Sequence, residues 1–276
     1  MAYEPGAMAH QIDERIAAVR AAGRTGIMTH VIVGYPSVDV TETLVRAMAR
    51  GGVDLVELQI PFSDPLADGP TIQTACEESL AAGTRVRDAF DLARRLRDTG
   101  IPLLFMAYFN TVFAYGTEAF CADAAAAGIS GLIVPDAPLE AAIHEGFLDA
   151  CEQAGLYSIA TFSPLSTPDR LRKNAAHARG FVYCMARQGI TGAGGKMHAD
   201  LARYMQTVRA SIDLPIALGF GISDRARLDL IRPYCDIAVV GSAIVDLIAR
   251  AGPAGAEAAV SEFLATLTDG PVTARG

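Results

Sequence analysis

Two carboxylates, Glu57 and Asp68, share the stretch LVELQIPFSDPLADGP at residues 55–70. Leu55, Glu57 and Gln59 alternate with Val56, Leu58 and Ile60, so the stretch opens as a strand with Glu57 on one face. Pro61 ends the strand; Ser63-Asp64-Pro65 and Asp68-Gly69-Pro70 are turn chemistry, and the remainder reads as a long loop. A carboxylate pointing inward from an apolar strand is expensive unless it is paired, protonated or used. Desolvation disfavours its charged form, which suits a general acid–base working near neutral pH. Position alone leaves a second reading open, a core carboxylate satisfied by Ser, Tyr or backbone donors. Asp68, taken alone, reads as a turn-forming Asp before Gly.

Three further stretches carry residue types suited to binding. Gly219-Phe220-Gly221-Ile222-Ser223 follows one apolar run, and Gly241-Ser242-Ala243 follows the next and enters a helix. Glycines after two successive strands, with a helix N-terminus behind the second, let backbone N–H groups approach a phosphate where no Cβ stands in the way. Ala186 to Lys196 holds four glycines and Thr191 after a strand, an anion-friendly loop or a plain mobile one. The five histidines show no metal-ligand spacing, so no metal site is expected. His30 lies on the strand face opposite Ile27 and Thr29; periodicity does not say which face looks inward, and a hydrogen-bonded packing role is the default reading. Asp136, between Pro135 and Pro138, suits orienting a loop or capping a helix.

Strands and helices alternate around these stretches. Ala9–Ala22 is an amphipathic helix before the first strand, Ile27–Val33, and helix Thr41–Ala49 follows. After the Glu57 strand and its loop come helix Arg87–Arg97, strand Pro102–Tyr108, helix Thr117–Ala127, strand Gly131–Val134 and helix Leu139–Ala154. The second half gives strand Tyr157–Phe162, helix Pro168–Ala178, strand Phe181–Met185, helix Ala199–Ser211, strand Pro215–Leu218, helix Asp224–Ile231, strand Ile237–Val240 and closing helices. Strict alternation with apolar strands predicts a parallel sheet covered by helices. Eight such units predict an α/β fold, a single (β/α)8 TIM barrel with an extra N-terminal helix, as one domain over 1–276 with loose ends at 1–7 and 269–276. An open doubly wound sheet would want a glycine-rich dinucleotide turn after the first strand, and Gly34-Tyr35-Pro36 is not one. In a barrel the chemistry belongs at the C-terminal strand ends, where all the stretches above fall.

Composition removes other classes. The chain carries 51% hydrophobic and 20% charged residues, enough apolar material for a large core. Its net charge of −8 gives no basic stripe to neutralise phosphates, which argues against nucleic acid as a partner. No apolar run reaches the length of a membrane span and no signal pattern opens the chain, so a cytoplasmic protein without membrane partners is expected. Cys76, Cys121, Cys151, Cys184 and Cys235 are odd in number and scattered without a CxxC, and read as buried free thiols.

ELQIPFSDPLADGPTIQ, with YFN, PDAP, RQGITG, GFGIS and VVGSAI in that order over nearly the whole chain, resembles the α subunits of tryptophan synthase. The resemblance implies a lyase that cleaves indole-3-glycerol phosphate to indole and glyceraldehyde 3-phosphate by a retro-aldol reaction. By position it implies Glu57 as the acid–base at indole C3 and the glycerol hydroxyl, and Asp68 as the acid that steadies the indole N–H while positive charge develops. It implies Tyr183 beside the catalytic Glu, Gly192, Gly221, Gly241 and Ser242 as a phosphate cradle, Phe220 and Tyr108 as walls of the indole pocket, and Thr191 closing over Asp68. Pro61, Asp64, Asn110 and Pro138 match the face offered to a β subunit, in an α2β2 heterotetramer. Pyridoxal phosphate is implied on that partner only, and no cofactor on this chain.

The chain also departs from the family's pattern. Gln59 stands where Gly is usual; its amide either donates to Glu57 or crowds the pocket. His30 falls where a Phe commonly packs on the indole, which would turn it toward the pocket as a flat ring with a titratable edge. Tyr35 replaces a frequent acid, and Ala186 and Gln188 replace a Ser and a small residue. The alternatives are a stand-alone lyase releasing free indole, a non-catalytic subunit that binds a phosphorylated ligand, and another sugar-phosphate barrel enzyme. The last lacks a Lys or His at a strand end in the obvious catalytic place.

Overall fold

The structure, a computed structural model, describes residues 10–185 and 194–268. The ends expected to be loose, 1–7 and 269–276, lie outside the described residues, as do Ala186, Gln188, Thr191 and Gly192. Eight parallel strands close in sequence order into a barrel: β1 Gly26–Ile32, β2 Leu55–Gln59, β3 Leu103–Met106, β4 Ile129–Ile133, β5 Tyr157–Phe162, β6 Val182–Met185, β7 Ile216–Gly219 and β8 Ile237–Val240, with β8 pairing back onto β1.

Alternation along the strands separates two cores. Met28, Leu55, Leu104, Met106, Ile133, Ile159, Phe181, Ala217, Ile237 and Val239 fill the barrel, while Val31, Val56, Leu58, Phe105, Leu132 and Val240 join the larger core under the helices. The helix before β1, Gln11–Ala21, sends Ile12 and Ile16 into the interior cluster and so closes the bottom of the barrel.

Three elements differ from the sequence expectation, one of them a short helix, Phe109–Tyr115, inserted after β3. A helix, Pro70–Ala81, occupies the second half of what reads as loop after β2. Pro70 sits at its first position, where a missing N–H costs nothing, and Ile72, Ala75, Cys76 and Ser79 are its buried stripe. The single helix expected over Leu139–Ala154 is two, Leu139–His144 and Phe147–Gln153, parted by Gly146 at φ 67°. All five cysteines are buried and free, as their scatter suggests.

Closure at the N-terminal end is concentrated on Asp236, just before β8. Its backbone N–H donates to Ile216 O at 2.9 Å and its carbonyl accepts from Gly26 at 2.9 Å, joining β7 to β1. Its carboxylate accepts from the Ile216 N–H at 2.8 Å, from Arg209 at 2.7 Å and from Arg20 at 2.8 Å. Burial pushes this carboxyl up, but the Ile216 N–H and the two guanidiniums outweigh it and hold the group below its ordinary 3.8. A depressed carboxyl contributes stability that is complete above its unfolded value and lost as pH falls through the folded one. Asp236→Asn should therefore be less stable than wild type at pH 7, and the gap in urea-unfolding free energy should narrow as pH falls below the ordinary 3.8. A gap that stays constant down to pH 2 would exclude a charge-based clamp.

Candidate active site

Strand register brings the first polar pair together. His30 on β1 is the Cα partner of Glu57 on β2, and both point inward, so their side chains meet inside the barrel mouth. His30 Nδ1 lies 3.2 Å from Glu57 Oε2, with the two residues 6% and 1% exposed. This is ion-pair distance, although no donor is aligned on Oε2 as a hydrogen bond. Burial pushes the His30 imidazole down, but Glu57 beside it, helped by Asp68 and the Gln59 amide, overrides that and holds it above its ordinary 6.5. The strand face left open by periodicity is thus the inner one: Thr29 points outward to Met48 and His30 inward to Glu57.

The loop after β2 carries the second acid back to the same mouth. Gln59 Nε2 donates to Asp68 Oδ2 at 2.8 Å and approaches Cys76 Sγ at 3.6 Å, so its partner is Asp68 and not Glu57. Tyr108 OH donates to the same Asp68 Oδ2 at 2.8 Å and accepts from the Ala67 N–H at 2.9 Å, while its ring stacks on Phe62 at 5.1 Å. Gln73 Nε2 holds the Asp68 carbonyl at 3.1 Å. Burial, together with Asp68, keeps the Tyr108 phenol protonated well past its ordinary range, so it remains a donor.

Glu57, Asp68, His30, Tyr183, Gly221, Gly241 and Ser242 all line one cavity of about 210 Å³, whose apolar walls include Ile72, Met106, Ile133 and Val239. Tyr183 lies close to Gly219, where an added Cβ would stand 3.3 Å from its ring, so glycine there lets the ring in. Gly221 has φ 61°, and Gly241 precedes the helix Ser242–Leu267, whose first N–H groups are unpaired within the helix and turn toward this end of the barrel. Two expected pocket walls sit elsewhere. Phe220 is buried in the layer beneath the helices, because it alternates with the inward Gly219 and Gly221. Tyr108 does not line the cavity itself and meets it through Asp68 and Ala67. Asp64, Asn110 and Pro138 are exposed at the strand-end loops, whereas Pro61 is buried and offers no surface. Asp136 accepts the Phe109 N–H at 2.8 Å and so caps the helix Phe109–Tyr115, as its setting suggests.

The Gln59 latch on Asp68 and the apolar walls at Met106, Ile133 and Val239 are absent from a motif reading. The walls follow from register, since Gln59 pairs with Met106 and Met106 with Ile133. The latch has no sequence signal, because the loop returns Asp68 by a path that no periodicity encodes.

Barrels that gather ionisable groups at the C-terminal strand ends, above a sealed apolar interior, are enzymes, and this chain is of that class. Residues 16–270 match the family model of the tryptophan synthase alpha chain. Curated alpha chains from Desulfotalea psychrophila and Syntrophotalea carbinolica are 45% and 44% identical, over 87% and 84% of this chain and 93% and 91% of theirs. Among solved structures, the alpha chain from Legionella pneumophila superposes with a TM-score of 0.85 at 28% identity over 94% of this chain and 96% of that one. Ligand-free tryptophan synthase from M. tuberculosis gives 0.83 at 33% identity, covering 94% and 99%. The chain belongs to the tryptophan synthase alpha chain family, lyases that cleave indole-3-glycerol phosphate to indole and glyceraldehyde 3-phosphate.

Tyr108→Phe removes the phenol from both Asp68 and the Ala67 N–H. It should cost about 1 kcal/mol of stability and speed hydrogen exchange at the Ala67 amide. Unchanged exchange there would mean that the loop is held by its prolines and stacking alone.

Proposed function

We propose that Glu57 and Asp68 divide the work of the retro-aldol cleavage. Glu57 delivers a proton to indole C3 and takes one from the glycerol hydroxyl, and Asp68 stabilises the ring N–H as that proton makes the ring cationic. The protonated ring is itself the electron sink for the breaking C–C bond, so the step asks for no cofactor on this chain. Gly221, Gly241 and Ser242, with Gly192, hold the phosphate, and Tyr183 flanks the reacting carbons. The observation that carries this reading is that both acids open onto one cavity that the two strand-end glycines and the start of helix Ser242–Leu267 also line.

The partner in this reading is a β subunit carrying pyridoxal phosphate, in an α2β2 assembly in the cytoplasm. Exposed Asp64, Asn110 and Pro138, with Leu66 at 82% and Phe113 at 57% exposed, support docking at the strand-end face. Among the described residues no helix is long and apolar enough to cross a membrane. One observation favours a stand-alone lyase instead: Gln59 and Tyr108, both from this chain, hold Asp68 at the mouth.

Indole release from indole-3-glycerol phosphate, with and without a β subunit, tests both readings. Glu57→Gln and Asp68→Asn should each lose at least a hundredfold in kcat/KM, about 2.7 kcal/mol of transition-state stabilisation. A rate that barely responds to the partner would select the stand-alone enzyme. Wild type as inactive as Glu57→Gln, even with the partner, would leave a non-catalytic phosphate-ligand binder.

A further inference from the structure

We propose that His30 and Glu57 form a proton-sharing pair in which His30 carries one of the two proton transfers of the cleavage. The proposal rests on the assignment of Glu57 as the acid–base. It begins from geometry: neighbouring strands in register set His30 Nδ1 3.2 Å from Glu57 Oε2, and both residues are more than nine-tenths buried. The other ring nitrogen, Nε2, is buried without a hydrogen-bond partner, and His30 lines the same cavity as Glu57 and Asp68. Gly241 stands against the ring, since an added Cβ there would lie 3.5 Å from His30 Cβ. The His30 side chain therefore lies beside both the acid–base and one strand-end glycine of the proposed cradle, where the glycerol portion of the substrate would run.

Charge points the same way. The titratable groups facing His30 across the cavity are Glu57 from β2, Asp68 from the following loop and Tyr183 from β6, and no Lys or Arg lines the cavity among the described residues. His30 is thus the counter-charge available to two carboxyl groups, and the elevation of its titration follows from that arrangement.

One proton is what the reaction consumes and returns. The pair donates it to indole C3, giving the indolenine cation. The C–C bond to the glycerol chain then breaks, and its electron pair restores the ring and neutralises the nitrogen. The hydroxyl on the departing carbon becomes a carbonyl, and its proton passes to the pair, which regains the one proton it gave. A lone carboxyl must give and then take at the same two oxygens. With His30 beside it, Nε2 can accept the hydroxyl proton while Nδ1 returns its own to Glu57, so donor and acceptor are separate atoms; the ring is left with its proton on Nε2, and exchange with water restores the Nδ1–H tautomer before the next turnover.

The test compares wild type with His30→Phe and His30→Gln by steady-state indole release between pH 5.5 and 9, alongside NMR titration of labelled histidine. Gln keeps the size and a donor but carries no titrating proton. Both variants should lose roughly thirtyfold to a hundredfold in kcat at pH 7, keep KM within about threefold, and lack the fall in kcat seen in wild type as pH rises through the His30 titration. His30 should titrate above 6.5 in wild type and move down in Glu57→Gln. A His30→Gln enzyme with wild-type kcat and pH profile would overturn the proposal, as would a His30 titration indifferent to Glu57→Gln. Wild type that releases no indole, while the titration still responds to Glu57→Gln, would sink the lyase reading and leave the proton-sharing pair standing.

Discussion

Glu57 is a carboxylate held at 1% exposure inside a barrel whose floor is sealed by Ile12 and Ile16, and the layout of the mouth follows from that burial. Taking a charge out of water costs several kcal/mol unless a partner or a proton compensates. The barrel supplies compensation sideways, from the neighbouring strand, since the layer below consists of Met28, Leu55, Leu104 and Phe181. Parallel pairing fixes which residue stands beside Glu57, and on β1 it is His30. The polar layer is thus one residue deep: apolar packing beneath it, substrate space above it, and lateral contacts within it.

The second acid reaches the layer by a different route. Asp68 belongs to a loop, and loops pay conformational entropy that a few hydrogen bonds of about 1 kcal/mol each do not recover alone. Here prolines at 61 and 65 reduce what must be ordered, both are buried, and Phe62 stacks on Tyr108. Hydrogen bonds from Gln59 and Tyr108 then choose where the already restricted loop puts its carboxylate. Restriction comes from the backbone and its apolar anchors, and direction comes from the polar contacts.

Much of this was legible in the chain. Alternation of apolar runs with amphipathic segments gives the barrel, and period two puts Leu55, Glu57 and Gln59 on one face. Period two cannot say which face is inner, which is why His30 was undecided until register joined it to Glu57. Gly69-Pro70 looked like a turn because the same dipeptide chemistry serves a turn and a helix start; the buried stripe from Ile72 to Ser79 distinguishes them. The family resemblance implies Phe220 as a pocket wall, yet alternation sends it to the outer layer. The Gln59 contact was unreadable for a simpler reason: its acceptor arrives on a loop, and loop paths leave no periodic trace.

His30 and Gln59, two of the departures from the family's pattern, converge on the same layer, and polar burial explains why they belong together. Each introduces a polar edge where the pattern has an aromatic face or no side chain, and each is more than nine-tenths buried. Alone, either would leave a donor or acceptor stranded at a cost of about 1–3 kcal/mol. Placed side by side they engage one acid each, His30 on Glu57 and Gln59 on Asp68. Three of the five buried side-chain atoms without a hydrogen-bond partner among the described residues, His30 Nε2, Glu57 Oε2 and Gln59 Oε1, fall in this one layer. Unspent polar capacity is costly to a fold and useful to a site, because a substrate can take it up only when it is bound. The layer is therefore better read as one coupled unit than as two acids with incidental neighbours, and substitutions within it should act non-additively on both acids.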